Sequence, residues 1–184
     1  MKNVRGWWLP DSDTHIAEKI EEQSNTNRGY NYQTQQRDYA LSFALKYASR
    51  NKVAIDIGGH VGLWSVDMAN HFKELIIFEP VEENKKCLIK NLGQFEHIEL
   101  HNHAVGNLDG KIKLTDDAAT QNTRVLLEEG QTVICKLDSM EINDADMLKI
   151  DVEGLEMQVL QGAENLLNSV EFVMIELNNN SKRY

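Results

Sequence analysis

The chain has 184 residues, of which 41% are hydrophobic and 26% charged, and this size and composition are typical of one globular domain with a full core. Its formal net charge of -10 argues against a broad nucleic-acid-binding surface and against adhesion to anionic membranes. The sequence has no apolar run close to the roughly 20 residues that a membrane-spanning helix needs.

The first part of the chain predicts a helical N-terminal segment, residues 1–50, ahead of a core at 51–177 within a single domain. The apolar stretch at 6–10 contains two tryptophans, for which packing onto the core is favoured over a role as a substrate platform. Asp13 or Thr14 is placed to cap a short helix that follows directly.

From residue 51 onward, short apolar strands alternate with helical patterns through five units. Strands are expected close to residues 53–57, 74–80, 97–105, 145–151 and 170–177. Helices are expected at 35–49, from residue 62, at 81–91 and at 154–168. This alternation predicts an α/β fold, a doubly wound and mostly parallel sheet with helices on both faces and right-handed crossovers.

Two segments after the third of these strands have a different pattern. Residues 111–114 and 132–137 alternate polar and apolar side chains, which predicts half-exposed strands. The polar stretch at 115–123 between them predicts a loop.

The turn after the first core strand gives the strongest signal for a ligand site. Asp56 is placed at the end of that strand, and Gly58, Gly59 and Gly62 then form a tight turn whose backbone N–H groups and following helix attract a ligand. His60 occupies the middle position, so the glycines do not fit the Gly-x-Gly-x-x-Gly spacing of dinucleotide-binding folds. An acid just before the glycines suits instead a ligand with a cationic amine and no pyrophosphate, such as S-adenosylmethionine (SAM).

Polar residues also follow the later strands, at positions that a parallel sheet brings to one edge. Glu79, Asp151 and Glu176 each lie at the end of a strand, and His103 and Ala104 lie near the end of the third. Because ligands of open parallel sheets bind beyond the carboxyl ends of the strands, these residues are expected to surround one site. Glu79 is placed to accept hydrogen bonds from both hydroxyls of a ribose.

The run Asp56-Ile57-Gly58-Gly59-His60-Val61-Gly62 resembles the first motif of the FkbM-type SAM-dependent methyltransferases. Further matches follow in the family's order at residues 77–80, 104–106, 137–139, 148–156, 159–163 and 173–176, so that the resemblance covers about residues 50–177. It implies a class I Rossmann-like fold and methylation of a hydroxyl oxygen, often on a sugar or a natural product.

The sequence departs from this family in two ways. His60 stands where the family usually carries Asn. The usual last two strands of class I methyltransferases are not evident, which predicts either a sheet shortened at its C-terminal end or an edge covered by residues 111–137 or by another subunit.

The resemblance, together with position, implies that SAM is the cofactor. The residues expected to bind it are Asp56, Gly58, Gly59, His60, Gly62, Glu79, His103, Ala104 and Asp151. Among them, Asp56 and the glycine turn are expected at the methionine end and Glu79 at the ribose. His103 and Ala104 are expected to border the adenine, and Asp151 to lie near the sulfonium.

A hydroxyl acceptor must lose a proton, so catalysis is expected to need a base. Asp151 and Glu153 are the candidates, and Lys149 shares a strand face with them if the strand continues that far. Lys149 would lower the pKa of a neighbouring carboxylate or anchor an acidic substrate. Glu153 is equally well explained as an acid in the first turn of a helix. No metal site is predicted, because His101 and His103 lack a third ligand at a fitting spacing.

A small molecule or a glycan is the expected acceptor, and no nucleic-acid or membrane partner is expected. N-methylation of a protein or a nucleobase, and a non-catalytic binding module with the same fold, remain as alternatives, and a homo-oligomer is left open. Cys87 and Cys135 lie on different elements without metal-like spacing, as expected for reduced thiols in a cytoplasmic protein. Residues 1–34 and 115–130 flank the expected pocket and are natural places for acceptor specificity.

Overall fold

The computed structural model describes residues 1–22, 33–48, 52–114, 125–126, 130–142 and 144–177. The strands are β1 (Lys2–Val4), β2 (Trp7–Leu9), β3 (Val53–Ile57), β4 (Glu74–Phe78), β5 (Ile98–His101), β6 (Ala104–Val105), β7 (Gly110–Leu114), β8 (Val125–Leu126), β9 (Thr132–Cys135), β10 (Met147–Ile150) and β11 (Phe172–Ile175). The α-helices are α1 (His15–Glu22), α2 (Thr34–Tyr47), α3 (Leu63–Ala69), α4 (Glu82–Leu92) and α5 (Glu156–Gln161), and 3-10 turns lie at Leu137–Ser139 and Leu166–Asn168. No helix within the described residues combines the length and apolar character needed to cross a bilayer.

A five-stranded sheet organises the core. Its strands lie in the order β11-β10-β3-β4-β5, and every pair of neighbours is parallel. The chain enters this sheet in the centre, at β3, and builds outward through β4 and β5 before it crosses to β10 and β11 on the other side. The strand order therefore reverses beside β3, and a ligand crevice is expected there, beyond the carboxyl ends of the strands.

The two faces of this sheet are covered by different layers, because successive strand residues point to opposite faces. Ala54 of β3 packs in an apolar cluster with residues of α2, α3 and α4, among them Trp64 and Leu88. Ile55 and Ile57 belong to the opposite cluster, which includes residues of α5 and of the 3-10 turns. Helices thus lie on both faces of a parallel sheet, which confirms the α/β fold class predicted from the sequence.

The N-terminal segment contains a β-hairpin that the sequence pattern did not predict. Strands β1 and β2 pair antiparallel. Trp7 and Trp8 pack against a buried cluster that includes residues of β2, α1 and α3, so the expectation that they serve packing is confirmed. Asp13 caps α1, since its Oδ1 accepts the backbone N–H of Ile16 at 2.9 Å.

Four short strands form a second, smaller sheet in the order β6-β9-β7-β8. The strand expected at 97–105 is divided between the two sheets, since β5 pairs with β4 while β6 pairs with β9. Strands β7 and β9 confirm the half-exposed strands predicted at 111–114 and 132–137, and they pair antiparallel with each other. The loop expected at 115–123 lies outside the described residues.

The prediction of one helix over 154–168 is wrong in its length, because α5 ends at Gln161. A Cβ at Gly162 would lie 1.9 Å from the carbonyl oxygen of Gly106, so the two backbones approach too closely for any side chain. The following 3-10 turn begins beside Asp138, whose carboxylate accepts the backbone N–H groups of Asn165 and Leu166 at 2.9 and 3.1 Å. The end of the helix therefore coincides with a contact to the chain after β6, which helical periodicity alone does not reveal.

Candidate active site

A cleft opens over the carboxyl ends of β3, β4 and β10, next to the reversal of strand order. Eight of the residues predicted for the site line it: Gly58, Gly59, His60, Glu79, Ala104, Lys149, Asp151 and Glu153. Asp56, Gly62, His103 and Glu176 do not line it. Further lining residues come from the N-terminal helices and the small sheet, for example Ile16 and Leu114.

The glycine turn serves close backbone packing. Gly58 has a φ of 82°, and a Cβ there would lie 1.8 Å from the carbonyl oxygen of Asp151. The N–H groups of Gly58 and Gly59 both donate to the carbonyl oxygen of Phe78, at 2.9 and 3.0 Å. The expectation that these amides face a ligand is therefore wrong, because they join β3 to β4 instead.

Asp56 lies beneath the cleft. Strand β3 continues to Ile57, so Asp56 points with Ala54 into the layer of α3, and the residue is fully buried. Its carboxylate accepts the hydroxyl of Ser65 at 2.6 Å and the ammonium of Lys149 at 2.9 Å. Both oxygens are thus engaged within the protein, and the structure does not bring Asp56 to the surface of the cleft as the sequence predicted.

Lys149 lies between two carboxylates. Its Nζ is 2.9 Å from Asp56 and 3.7 Å from Asp151, and it also donates to the carbonyl oxygen of Gly58 at 3.3 Å. Burial disfavours the ammonium, but Asp56 and Asp151 outweigh this effect and the pKa of Lys149 lies above its ordinary value. Since the side chain is only 1% exposed, its charge balances protein carboxylates, and the role of anchoring an acidic substrate is not favoured.

Asp151 directly follows β10 and faces the cleft. Burial raises the pKa of Asp151 to about 6, an effect that Lys149 opposes and that Glu176 reinforces. Lys149 therefore lowers the pKa of this carboxyl, as expected from the sequence, but burial is the larger effect. A carboxyl that titrates near neutral pH is suited to general-base catalysis.

Glu79 lies at the end of β4 and is 4% exposed. Its carboxylate accepts the backbone N–H groups of His60 and Val81 at 2.8 and 2.9 Å and the side-chain amide of Asn84 at 3.3 Å. Burial raises the pKa of Glu79 to about 7 even though these three donors favour the carboxylate. Glu79 is therefore a buried acid that lines the cleft, and it is not a cap on the surface.

Three residues that line the cleft, Gln33, His60 and Glu153, have left-handed backbones although they are not glycine. His60 has a φ of 49° and Glu153 a φ of 54°, and such conformations are uncommon and cluster at functional sites. Glu153 does not share a strand face with Lys149, because β10 ends at Ile150. The Nε2 atom of His60 is buried without a hydrogen-bond partner among the described residues, and burial lowers the pKa of His60.

The small sheet gives the cleft an apolar wall. Ala104 and Val105 of β6 and Leu114 of β7 line this side. His103 lies just outside it, with its ring centroid 5.7 Å from that of His101. Among the residues that the structure describes, no group of three or more His, Cys, Asp or Glu is arranged to hold a metal ion.

Gln33 is a cleft residue that the sequence analysis missed. It precedes α2, and its Oε1 accepts the indole N–H of Trp64 at 2.7 Å. Its Nε2 donates to both carboxylate oxygens of Glu176, at 3.0 and 3.2 Å. Gln33 and Glu176 are 143 positions apart, so no local pattern in the sequence indicates this contact.

The parallel sheet with its central reversal, the glycine turn and the acid that follows β4 define a Rossmann-like protein of the class that binds nucleotide-type ligands at this edge. Within that class, the methyltransferase FkbM domain matches residues 56–183. The chain belongs to this family, and the resemblance found in the sequence is confirmed.

Individual relatives have low sequence identity to this chain. The hexuronic acid methyltransferase AglP of Haloferax volcanii is 25% identical over 145 residues, which are 74% of this chain and 60% of AglP, so the chain spans about 60% of the length of that curated relative. The N-methyltransferase NodS of Bradyrhizobium japonicum WM9, in complex with S-adenosyl-L-homocysteine (SAH), is 12% identical with a TM-score of 0.48 and covers 83% of this chain and 66% of its own. An rRNA methylase from Streptococcus thermophilus is 14% identical with a TM-score of 0.49, and the match covers 80% of this chain and 72% of the methylase.

Proposed function

We propose that this protein is a SAM-dependent methyltransferase that methylates a hydroxyl oxygen of a sugar, a glycan or a small molecule. The observation that carries the proposal is that Glu79 and Asp151, from strands on either side of β3, line one cleft beside the glycine turn in a chain of the FkbM family. These are the positions at which an adenosine and a reacting centre would be held in this fold.

The residues of the cleft fit the chemistry of SAM. The carboxylate of Glu79 would accept the two ribose hydroxyls. The apolar wall of Ala104, Val105 and Leu114 would border the adenine ring. The unpartnered Nε2 of His60 offers a hydrogen bond to a polar group of a ligand, and the acidic surroundings suit a cation.

When bound, SAM supplies a methyl group activated on a sulfonium. The protein then has to orient the acceptor in line, exclude water and take the hydroxyl proton. We propose that Asp151 accepts the hydroxyl proton, because its pKa near 6 makes it both ionised and adequately basic at neutral pH. Glu153, which lines the same cleft, is the second candidate base.

A carbohydrate acceptor is supported by the name of one relative, since AglP is a hexuronic acid methyltransferase. The free thiols of Cys87 and Cys135 support the cytoplasmic location expected from the sequence.

Calorimetric titration with SAM and with SAH, followed by transfer of labelled methyl to acceptor panels, tests this function. We expect binding of both ligands and transfer to sugars or alcohols. If neither ligand binds, the fold serves as a non-catalytic module. If label enters only peptide amines or oligonucleotides, the chain is an N-methyltransferase and the assignment of a hydroxyl acceptor is wrong.

A further inference from the structure

Gln33 has an unusual place at the start of α2. Its φ is 51°, in the left-handed region, and its side chain makes no capping hydrogen bond to the helix. Glutamine is not a preferred N-cap residue, and a positive φ is uncommon outside glycine. The side chain is directed into the cleft instead, so a local strain at this position coincides with a contact in the site.

The orientation of the Gln33 amide is determined by its neighbours. The indole N–H of Trp64 can only donate, so the atom that faces it at 2.7 Å is the amide oxygen. The amide nitrogen therefore faces Glu176, where it donates to both oxygens. A donor held against both oxygens favours the ionised form of a carboxyl group.

Glu176 in turn lies beside Asp151, since the two residues directly follow Ile150 and Ile175, which pair across β10 and β11, and Glu176 raises the pKa of Asp151 further above the value that burial gives it. Two adjacent carboxyls do not ionise independently, and one proton is shared between them over part of the pH range. The titratable groups that face the pair are Lys149, with Asp56 on the far side of its ammonium, and the imidazole of His60 from the loop after β3. The charges of Asp151 and Glu176 both favour the ammonium of Lys149, whereas Gln33 contacts Glu176.

We propose that Gln33 is a positioning residue: by donating to Glu176 it holds the negative charge of the carboxyl pair there and leaves Asp151 as the member that takes up and releases the proton. The catalytic meaning of this arrangement rests on the proposed function, in which Asp151 is the base. The location of the proton itself does not depend on that function. Gln33 precedes the segment matched by the family, residues 56–183.

The test follows carboxyl titrations by NMR in protein labelled with ¹³C at the carboxyls of Asp. In the wild type, the signal that disappears in Asp151→Asn should titrate near pH 6. In Gln33→Met, which keeps the length and removes the donor, the midpoint of Asp151 should fall by about one pH unit or more. Gln36→Met, at an exposed position of the same helix, should leave the Asp151 midpoint unchanged.

The proposal is overturned if Asp151 keeps its midpoint in Gln33→Met. Gln33→Asn, which remains polar but is too short to reach both Trp64 and Glu176, gives the same test if the Met variant does not fold. Calorimetry with SAM on the wild type separates the two hypotheses, because a protein that binds no SAM would refute the proposed function, while the shift of the Asp151 midpoint in Gln33→Met would still stand.

Discussion

Lys149 separates two carboxylates that have nearly the same place in the fold and very different surroundings. Asp56 is the second-last residue of β3, and it is sealed between Ser65 and the ammonium. Asp151 is the first residue beyond β10, and its side chain remains 25% exposed at the cleft. Because β3 and β10 are adjacent parallel strands, a small shift in position relative to the strand end decides whether an acid is a structural counter-ion or a group available for chemistry.

This comparison explains why the two sides of Lys149 should respond differently to substitution. On the Asp56 side, removing either Asp56 or Lys149 leaves the charge of the other residue buried without a counter-ion. On the Asp151 side, burial raises the pKa of Asp151, so the ionised carboxylate needed for function lowers the stability of the fold.

The largest effect is expected from Lys149→Met, which leaves Asp56 buried without its cation. Breaking a buried ion pair in this way should destabilise the protein by about 3–5 kcal/mol. Urea unfolding monitored by circular dichroism measures the loss. Adding Asp56→Leu to this variant should recover part of it, and a double variant no more stable than the single one would show that the pair is not the cause.

Asp151→Asn should affect turnover and leave the fold intact. We expect turnover to fall by about 100-fold or more, since a general base is removed, while SAM affinity changes much less. The variant should be at least as stable as the wild type above pH 6: a carboxyl whose pKa is raised on folding contributes stability at low pH and loses it as the pH rises through the folded pKa. Turnover close to that of the wild type would remove Asp151 as the base.

Glu79→Gln should weaken SAM binding by about tenfold or more, because a hydrogen bond to a charged acceptor contributes about 1.5–3 kcal/mol. The pKa of Glu79 is about 7, so the wild type should lose affinity as the pH falls below 7 and the carboxylate is protonated. Calorimetry between about pH 6 and pH 8 should show a flatter dependence in the variant. Glu83→Gln, at an exposed position of α4, is the matched control. An equal pH dependence in both variants would contradict the ribose role.

The sequence predicted the site best where an acid follows an apolar strand. Glu79 and Asp151 lie directly after buried runs, and parallel pairing brings both to one edge. Asp56 failed as a cleft residue because its side chain alternates with those of Ile55 and Ile57, which turns it into the helical layer beneath the cleft. Glu153 failed as a strand residue because the backbone becomes left-handed just beyond β10.

Other features depend on contacts that local patterns do not encode. Gln33 reaches Glu176 across most of the sequence and lies beside a polar stretch without periodicity. The end of α5 coincides with the close approach of Gly162 to the backbone of Gly106, which follows β6. In both cases the tertiary environment, and not intrinsic propensity, determines the local structure.

A crystal structure of the protein with SAH tests the central claim most directly. We expect the ribose hydroxyls to lie within hydrogen-bond distance of Glu79, the adenine to lie against Ala104, and the sulfur to face the Asp151 side of Lys149. SAH bound elsewhere, or with its ribose away from Glu79, would contradict that claim.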